Sequence, residues 1–340
     1  MSTRAFITGV SGTELTAAER EFIRAERPWG FILFKRNVAT PAQVAALVAE
    51  LRAAAGAPDA PVLIDQEGGR VQRLGPPHWP VYPPGAIFST LYDADSALGL
   101  TAARLSARLI AADLADLGIT VDCLPLADVP VPGADGVIGN RAYGTSPGKV
   151  AAIARAVTEG LEQGGVLPVL KHIPGHGRAT ADTHFKLPTV DTPRDELDRT
   201  DFAAFKPLAD LPMAMTAHVV FSAVDPAQPA TTSATIIRQV IRGVIGFQGL
   251  LMSDDVSMNA LAGSLAERTR AIVNAGCDIV LHCNGKLDEM RDVARETPEL
   301  AGEALDRAKR ALASRRAPEP FDRQTARAEL ETLIDRVGTA

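Results

Sequence analysis

The chain has 340 residues, of which 46% are apolar and 22% charged, and a formal net charge of −6. That supports one large α/β domain or two ordinary ones, and without a Lys/Arg block it excludes nucleic acid as an expected partner. Cys123, Cys277 and Cys283 form neither a disulfide framework nor a paired zinc spacing, no apolar run is long enough to span a bilayer, and residues 1–12 lack a signal-peptide pattern. A cytoplasmic protein with buried, reduced thiols and no membrane partner is expected.

Short apolar runs at residues 5–8, 31–34, 61–64, 120–124, 167–170, 213–217, 250–252 and 278–281 read as strands. Longer amphipathic stretches separate most of them. Thr16-Ala17-Ala18-Glu19 is a capping-box pattern. Thr40-Pro41 starts the next helix with Pro at its first position, and Ser146-Pro147 and Thr192-Pro193 look similar. Residues 106–117 have helical apolar spacing. Gly56, Gly118 and Gly276 stand where left-handed caps follow helical runs. The Pro-rich stretch 75–84 carries no recognisable pattern. At the end, residues 302–316 and 323–337 read as closing helices, the second as a surface appendage. Strand–helix alternation over eight units predicts a single (β/α)₈ TIM barrel over residues 1–340 with extra C-terminal helices; a doubly wound open sheet is the alternative.

A barrel places its chemistry at the C-terminal ends of its strands. Residues 61–64 lead into Asp65-Gln66-Glu67-Gly68-Gly69-Arg70, and residues 167–170 into Lys171-His172-Ile173-Pro174-Gly175-His176-Gly177. Residues 213–217 lead into His218, residues 250–252 into Ser253-Asp254-Asp255, and residues 278–281 into His282. Wet loops make one polar strand end ordinary; several carrying His, Asp or Lys point to a shared site. Metal binding is disfavoured, because His172 and His176 share a face only on a helix and Pro174, Gly175 and Gly177 interrupt one. No P-loop or dinucleotide pattern is present, and Ser253 lacks the glycines of a nucleophile elbow. Carboxylate chemistry remains: Asp254 or Asp255 as a nucleophile toward an anomeric carbon, and Asp182 paired with His184 as a proton carrier. The spacing permits that pairing equally with a turn-capping Asp182 and a solvated His184.

Lys171–Gly177 with Asp182-Thr183-His184 resembles the signature loop of glycoside hydrolase family 3, in particular its short bacterial β-N-acetylglucosaminidases of cell-wall recycling. Ile64–Arg73, Ile138-Gly139-Asn140-Arg141-Ala142-Tyr143-Gly144 and Ser253–Met258 agree, in the same order. The resemblance runs from about Ile7 through the last barrel helices. Ile173 and Thr183 stand where the family more often has Phe and Ser. The resemblance implies a (β/α)₈ barrel, a nucleophile at Asp254, an unusual acid/base at His184 and its dyad partner at Asp182. It implies that Asp65, Arg73, Arg141, Lys171 and His172 hold a terminal N-acetylglucosamine. Longer relatives carry a second α/β domain and often a carboxylate acid/base from outside the barrel; this chain's length favours His184 instead.

The expected enzyme is therefore a monomeric, cofactor-free retaining exo-β-N-acetylglucosaminidase. Its substrates would be N-acetylglucosaminyl anhydro-muropeptides. A β-glycosidase or glycoside phosphorylase of the same family and a non-catalytic sugar-binding protein are the alternatives. His218 and His282 are expected to be structural, and Glu67 either supports the sugar-binding groups or makes a structural ion pair.

Overall fold

The computed structural model describes residues 2–179, 181, 183 and 186–338. Asp182 and His184 therefore lie outside the described residues.

Eight parallel strands close into a barrel: β1 (Arg4–Thr8), β2 (Pro28–Leu33), β3 (Val62–Ile64), β4 (Val121–Asp122), β5 (Leu167–Ile173), β6 (Met213–Thr216), β7 (Leu250–Asp255) and β8 (Ile279–His282). They pair in chain order, with β8 beside β1. Each expected strand is present, and the doubly wound alternative falls away because the sheet has no open edge. The differences lie at the ends. β5 runs on through Lys171, His172 and Ile173, and β7 through Ser253, Asp254 and Asp255. Polar residues assigned to loops are thus held by strand pairing.

The helices form for local reasons. Before Ala17–Glu26 the Glu19 N–H donates to Thr16 Oγ1 at 3.1 Å, while Glu19 takes the Thr16 N–H at 2.8 Å. Such a cap contributes about 1 kcal/mol. Thr40 caps Pro41–Ala55 by accepting the Gln43 N–H. Ser146 precedes Pro147–Gln163 but makes no side-chain cap, and the helix after Thr192 begins only at Arg194. Gly56, Gly118 and Gly276 all adopt positive φ after their helices.

Two apolar layers result. Ile7, Leu63, Val121, Val169, Met213 and Met252 belong to the cluster filling the barrel, which helix Gly302–Ala313 joins through Ala308 and Ala311. A larger cluster lies between strands and outer helices. The last helix, Arg323–Gly338, is more than a surface appendage. Its Ala326, Leu330 and Leu333 are buried, and Arg323 forks onto Asp116 at 2.6 and 2.8 Å. All three cysteines are free and buried. No helix among the described residues is long and apolar enough to cross a membrane.

Candidate active site

In a regular strand, successive side chains point to opposite faces, so one of Lys171 and His172 should leave the barrel interior. A register shift prevents this. Between the pairs Leu170↔Ala214 and Ile173↔Thr216, β5 has one residue more than β6. Between Met252↔Ile279 and Asp255↔Leu281, β7 has one more than β8. Each irregularity re-aims its strand end, as bulges beside active sites do. Lys171 and His172 both line one cavity at the C-terminal face, and so do Asp254 and Asp255.

That cavity holds about 350 Å³. One wall is a network of fixed charges. Lys171, only 2% exposed, donates to Asp65 Oδ1 at 2.9 Å and to Glu67 Oε1 at 2.6 Å. Arg73 Nη2 donates to Asp65 Oδ2 at 3.0 Å. Arg141 forks onto Glu67, Nε to Oε2 at 2.8 Å and Nη2 to Oε1 at 2.7 Å. Burial opposes ionisation of both carboxyls, but the cations override it: Lys171 and Arg73 hold Asp65 far below the carboxylate range, and Arg141 and Lys171 bring Glu67 down to about 2. In return, the carboxylates overcome the burial of Lys171 and keep it protonated. Glu67 thus combines its two expected roles, as a structural ion-pair partner that positions Arg141 and Lys171. The wall returns on itself through the ribbon Gln66–Gly68 and Val71–Gln72. There Gly68, at φ +93°, leaves room for the Pro83 carbonyl, which a Cβ would meet at 2.4 Å.

The opposite wall is built on histidines. Asp128, fully buried after β4, accepts the His172 ring Nδ1–H at 2.7 Å and the His176 backbone N–H at 2.7 Å. This carboxylate fixes the His172 tautomer, leaving Nε2 as the acceptor of the neutral ring. His176 packs its ring 5.5 Å from that of His172. Burial, and then the neighbouring His172, push its pKa down to about 4, so it is neutral at pH 7. Gly177 is required where the loop passes Val129, whose carbonyl oxygen a Cβ would meet at 2.1 Å.

At the end of β7 the two aspartates part. Asp255 takes the Ser257 hydroxyl at 2.6 Å and the Ser257 and Cys283 N–H groups at 3.1 Å each. Among the described residues Asp254 accepts only the Asp255 N–H, at 2.8 Å. Burial opposes its charge, but His218, His172, that N–H and His176 outweigh burial and hold the carboxyl below its ordinary range. His218 is fully buried between Thr231 Oγ1, at 2.7 Å, and the Asp255 carbonyl, at 3.0 Å. It does not line the cavity, consistent with a structural role. His282 is also buried and meets Glu289 at 3.3 Å.

Asp65, Arg73, Arg141, Lys171, His172 and Asp254 therefore share one cavity. Thr183 lines it too, its carbonyl accepting the Ala260 N–H at 3.1 Å. Asp182 and His184 flank Thr183 in sequence and lie outside the described residues. Sequence reasoning missed Asp128, although Ala127-Asp128-Val129-Pro130 follows the fourth apolar run. Arg70, which donates to the carbonyls of Gly136 and Ile138, and Met258 lie in stretches singled out in the sequence but had no assigned role there; Phe34 and Met215, which also line the cavity, carry no local signal.

Residues 7–314 match the glycosyl hydrolase family 3 N-terminal domain. A β-hexosaminidase of Xanthomonas campestris pv. campestris (strain B100) is 38% identical over 306 residues, covering 89% of each chain. One from Alkalilimnicola ehrlichii is 39% identical over 280 residues, covering 81% of this chain and 79% of that one. The structure superposes on NagZ from Neisseria gonorrhoeae in complex with N-trifluoroacetyl-D-glucosamine with a TM-score of 0.84 at 30% identity, covering 100% of this chain and 98% of that one. With this barrel, this cavity and relatives matched over most of their length, the chain belongs to glycosyl hydrolase family 3 and is a glycoside hydrolase of the β-hexosaminidase kind.

Proposed function

We propose that the chain is a retaining exo-β-N-acetylglucosaminidase that removes terminal, non-reducing N-acetylglucosamine from muropeptide fragments, acting as a monomer in the cytoplasm. Asp254 attacks the anomeric carbon, forming a C–O bond to the carboxylate as the glycosidic C–O bond breaks. His184 gives its proton to the departing oxygen. In the second step His184, held by Asp182, takes a proton from water; the water oxygen bonds to the anomeric carbon and the Asp254 ester bond breaks. Two inversions restore the β configuration. Asp65, Arg73, Arg141, Lys171 and His172 hold the sugar hydroxyls in a shielded site.

The observation that carries this reading is the contrast between the two aspartates. Asp255 is committed to Ser257 and Cys283, whereas Asp254 lines the cavity with one donor among the described residues and a lowered pKa. A nucleophile must be ionised and available, and only Asp254 meets both conditions. For the sugar, support comes from the amino-sugar analogue bound by the similar Neisseria protein. For His184, it comes from the loop sequence and from Thr183 at the cavity wall.

Hydrolysis of nitrophenyl N-acetyl-β-glucosaminide, set beside the plain β-glucoside, tests the reaction and the sugar. Preference for the glucoside would overturn the substrate. A fluorinated slow substrate should leave a covalent sugar on Asp254; a label on any other residue would defeat the mechanism. Free sugar, with no sugar phosphate formed in phosphate buffer, is the expected product.

A further inference from the structure

The N-terminal face of the barrel carries a cavity of its own, of about 710 Å³. Pro58 and Asp59 line it shortly before β3, Gly118 and Thr120 just before β4, and Leu167 at the first residue of β5. It therefore lies at the end of the barrel opposite the candidate active site, and the two cavities share no lining residue. Helix Gly302–Ala313 and the segment after it close the other side through Lys309, Leu312, Arg315, Arg316 and Pro318.

Positive charge dominates this cavity. Arg52, Lys309, Arg315 and Arg316 line it against a single carboxylate, Asp59. None of the four cations makes an ion pair among the described residues. In a chain of net charge −6, such a concave patch attracts anions.

A basic residue at the base of a barrel has an ordinary use, because helix C-termini present free carbonyls there. Arg52 and Arg315 meet that use only in part. Arg52 Nε donates to the Ala60 carbonyl at 3.0 Å and Nη2 to the Gly118 carbonyl at 2.8 Å. Arg315 Nε donates to the Gly165 carbonyl at 2.7 Å. These bonds fix both guanidinium groups, yet Arg52 Nη1 and the two terminal nitrogens of Arg315 have no hydrogen-bond partner among the described residues. The two groups also repel each other. Burial, and then the Arg315 charge, lower the Arg52 pKa, and Asp59 offsets less than either. Capping carbonyls does not require two guanidinium groups held near each other with donors to spare. An anion between them would take those donors and relieve the repulsion.

The lining also narrows the kind of anion. Planar guanidinium forks match the oxygens of a phosphate group. No aromatic ring lines the cavity among the described residues, so nothing there stacks on a nucleotide base. We propose that this cavity is a binding site for a compact, multiply charged phosphate anion such as inorganic pyrophosphate, with Arg52 and Arg315 meeting its oxygens and Lys309 and Arg316 completing the charge. The site is separate from the sugar chemistry and does not depend on it.

Calorimetric titration of the full chain with pyrophosphate tests the site, without divalent cations and at an ionic strength held constant with sodium chloride. Wild type is compared with Lys309→Glu and Arg316→Glu, both exposed positions, and the thermal midpoint of each variant checks its folding. Wild type should bind one anion per chain with a Kd of about 1 mM or tighter, and each variant about tenfold more weakly, because a cation is exchanged for a carboxylate. Saturating N-acetylglucosamine should leave the binding unchanged. No saturable binding by wild type, equal affinity in wild type and both folded variants, or displacement by N-acetylglucosamine would overturn the site. ADP binding more than about tenfold tighter than pyrophosphate would overturn the compact-anion assignment in favour of a nucleotide.

Discussion

The two walls of the cavity use charge differently. Along β3 and the segment carrying Arg141, both carboxylates have cationic partners: Asp65 with Lys171 and Arg73, Glu67 with Arg141 and Lys171. Along β5 and β7, the ionised carboxylate of Asp254 is surrounded by histidines, one of them oriented by Asp128 and another driven neutral by burial. The first wall keeps its charge throughout the neutral range and can act as a rigid frame for hydroxyl groups. The second holds its ionised carboxylate beside the oriented ring of His172 and the neutral ring of His176. A frame of fixed ion pairs and the carboxylate proposed as the nucleophile thus stand side by side, joined at the consecutive residues Lys171 and His172.

The largest effect that would sharpen this contrast comes from Asp254. Asp254→Ala should lower kcat on the nitrophenyl substrate by about a thousandfold or more, with little change in thermal stability. Asp255→Asn should behave in the opposite way and cost about 1–3 kcal/mol of stability through its Ser257 and Cys283 contacts. Comparable kinetic losses in both variants would remove the distinction between the two aspartates.

Next in size is the frame. Lys171→Met strips the shared cation from two buried carboxylates and should destabilise the protein by about 3–5 kcal/mol in urea denaturation. A loss below 1 kcal/mol, on the scale of surface pairs, would break the view of this wall as a coupled network. Asp128→Asn should lower kcat/KM by about tenfold, the effect of one charged hydrogen bond on His172, with folding cooperativity retained. An unchanged kcat/KM would mean that His172 needs no orientation.

The smallest effect is in pH. Glu67 has a folded pKa of about 2, below its ordinary value of 4.5. The unfolded chain therefore binds the proton first, and the stability contributed by ionised Glu67 is fully present above about pH 4.5 and is lost as pH falls toward 2. His176, lowered from 6.5 to about 4, has the same sign in a higher window, its contribution declining as pH falls from 6.5 to 4. Denaturation midpoints across pH 2–8 should show both steps, and His176→Asn should flatten the upper one.

Much of this molecule is legible in its sequence. Alternating short apolar runs and capped amphipathic stretches determine eight strand–helix units, because the period of burial differs between strand and helix. Polar residues following those runs mark the cavity rim, and Asp65, Lys171, His172 and Asp254 do meet there, with Arg73 and Arg141, which the family resemblance singled out. What the one-dimensional chain could not determine is which neighbour does what. Asp254 and Asp255 are chemically identical, and only the folded positions of Ser257 and Cys283 occupy one and spare the other. Lys171 and His172 should face opposite ways by strand alternation, and only the extra residue in β5 relative to β6 turns both inward. Asp128 acts across 44 positions of sequence, and Lys171 reaches 106 positions to Asp65. Local propensity sets the elements because it depends on neighbours within a turn or two. Ion-pair choice, carboxylate availability and side-chain direction depend on long-range packing, which exists only once the barrel has closed.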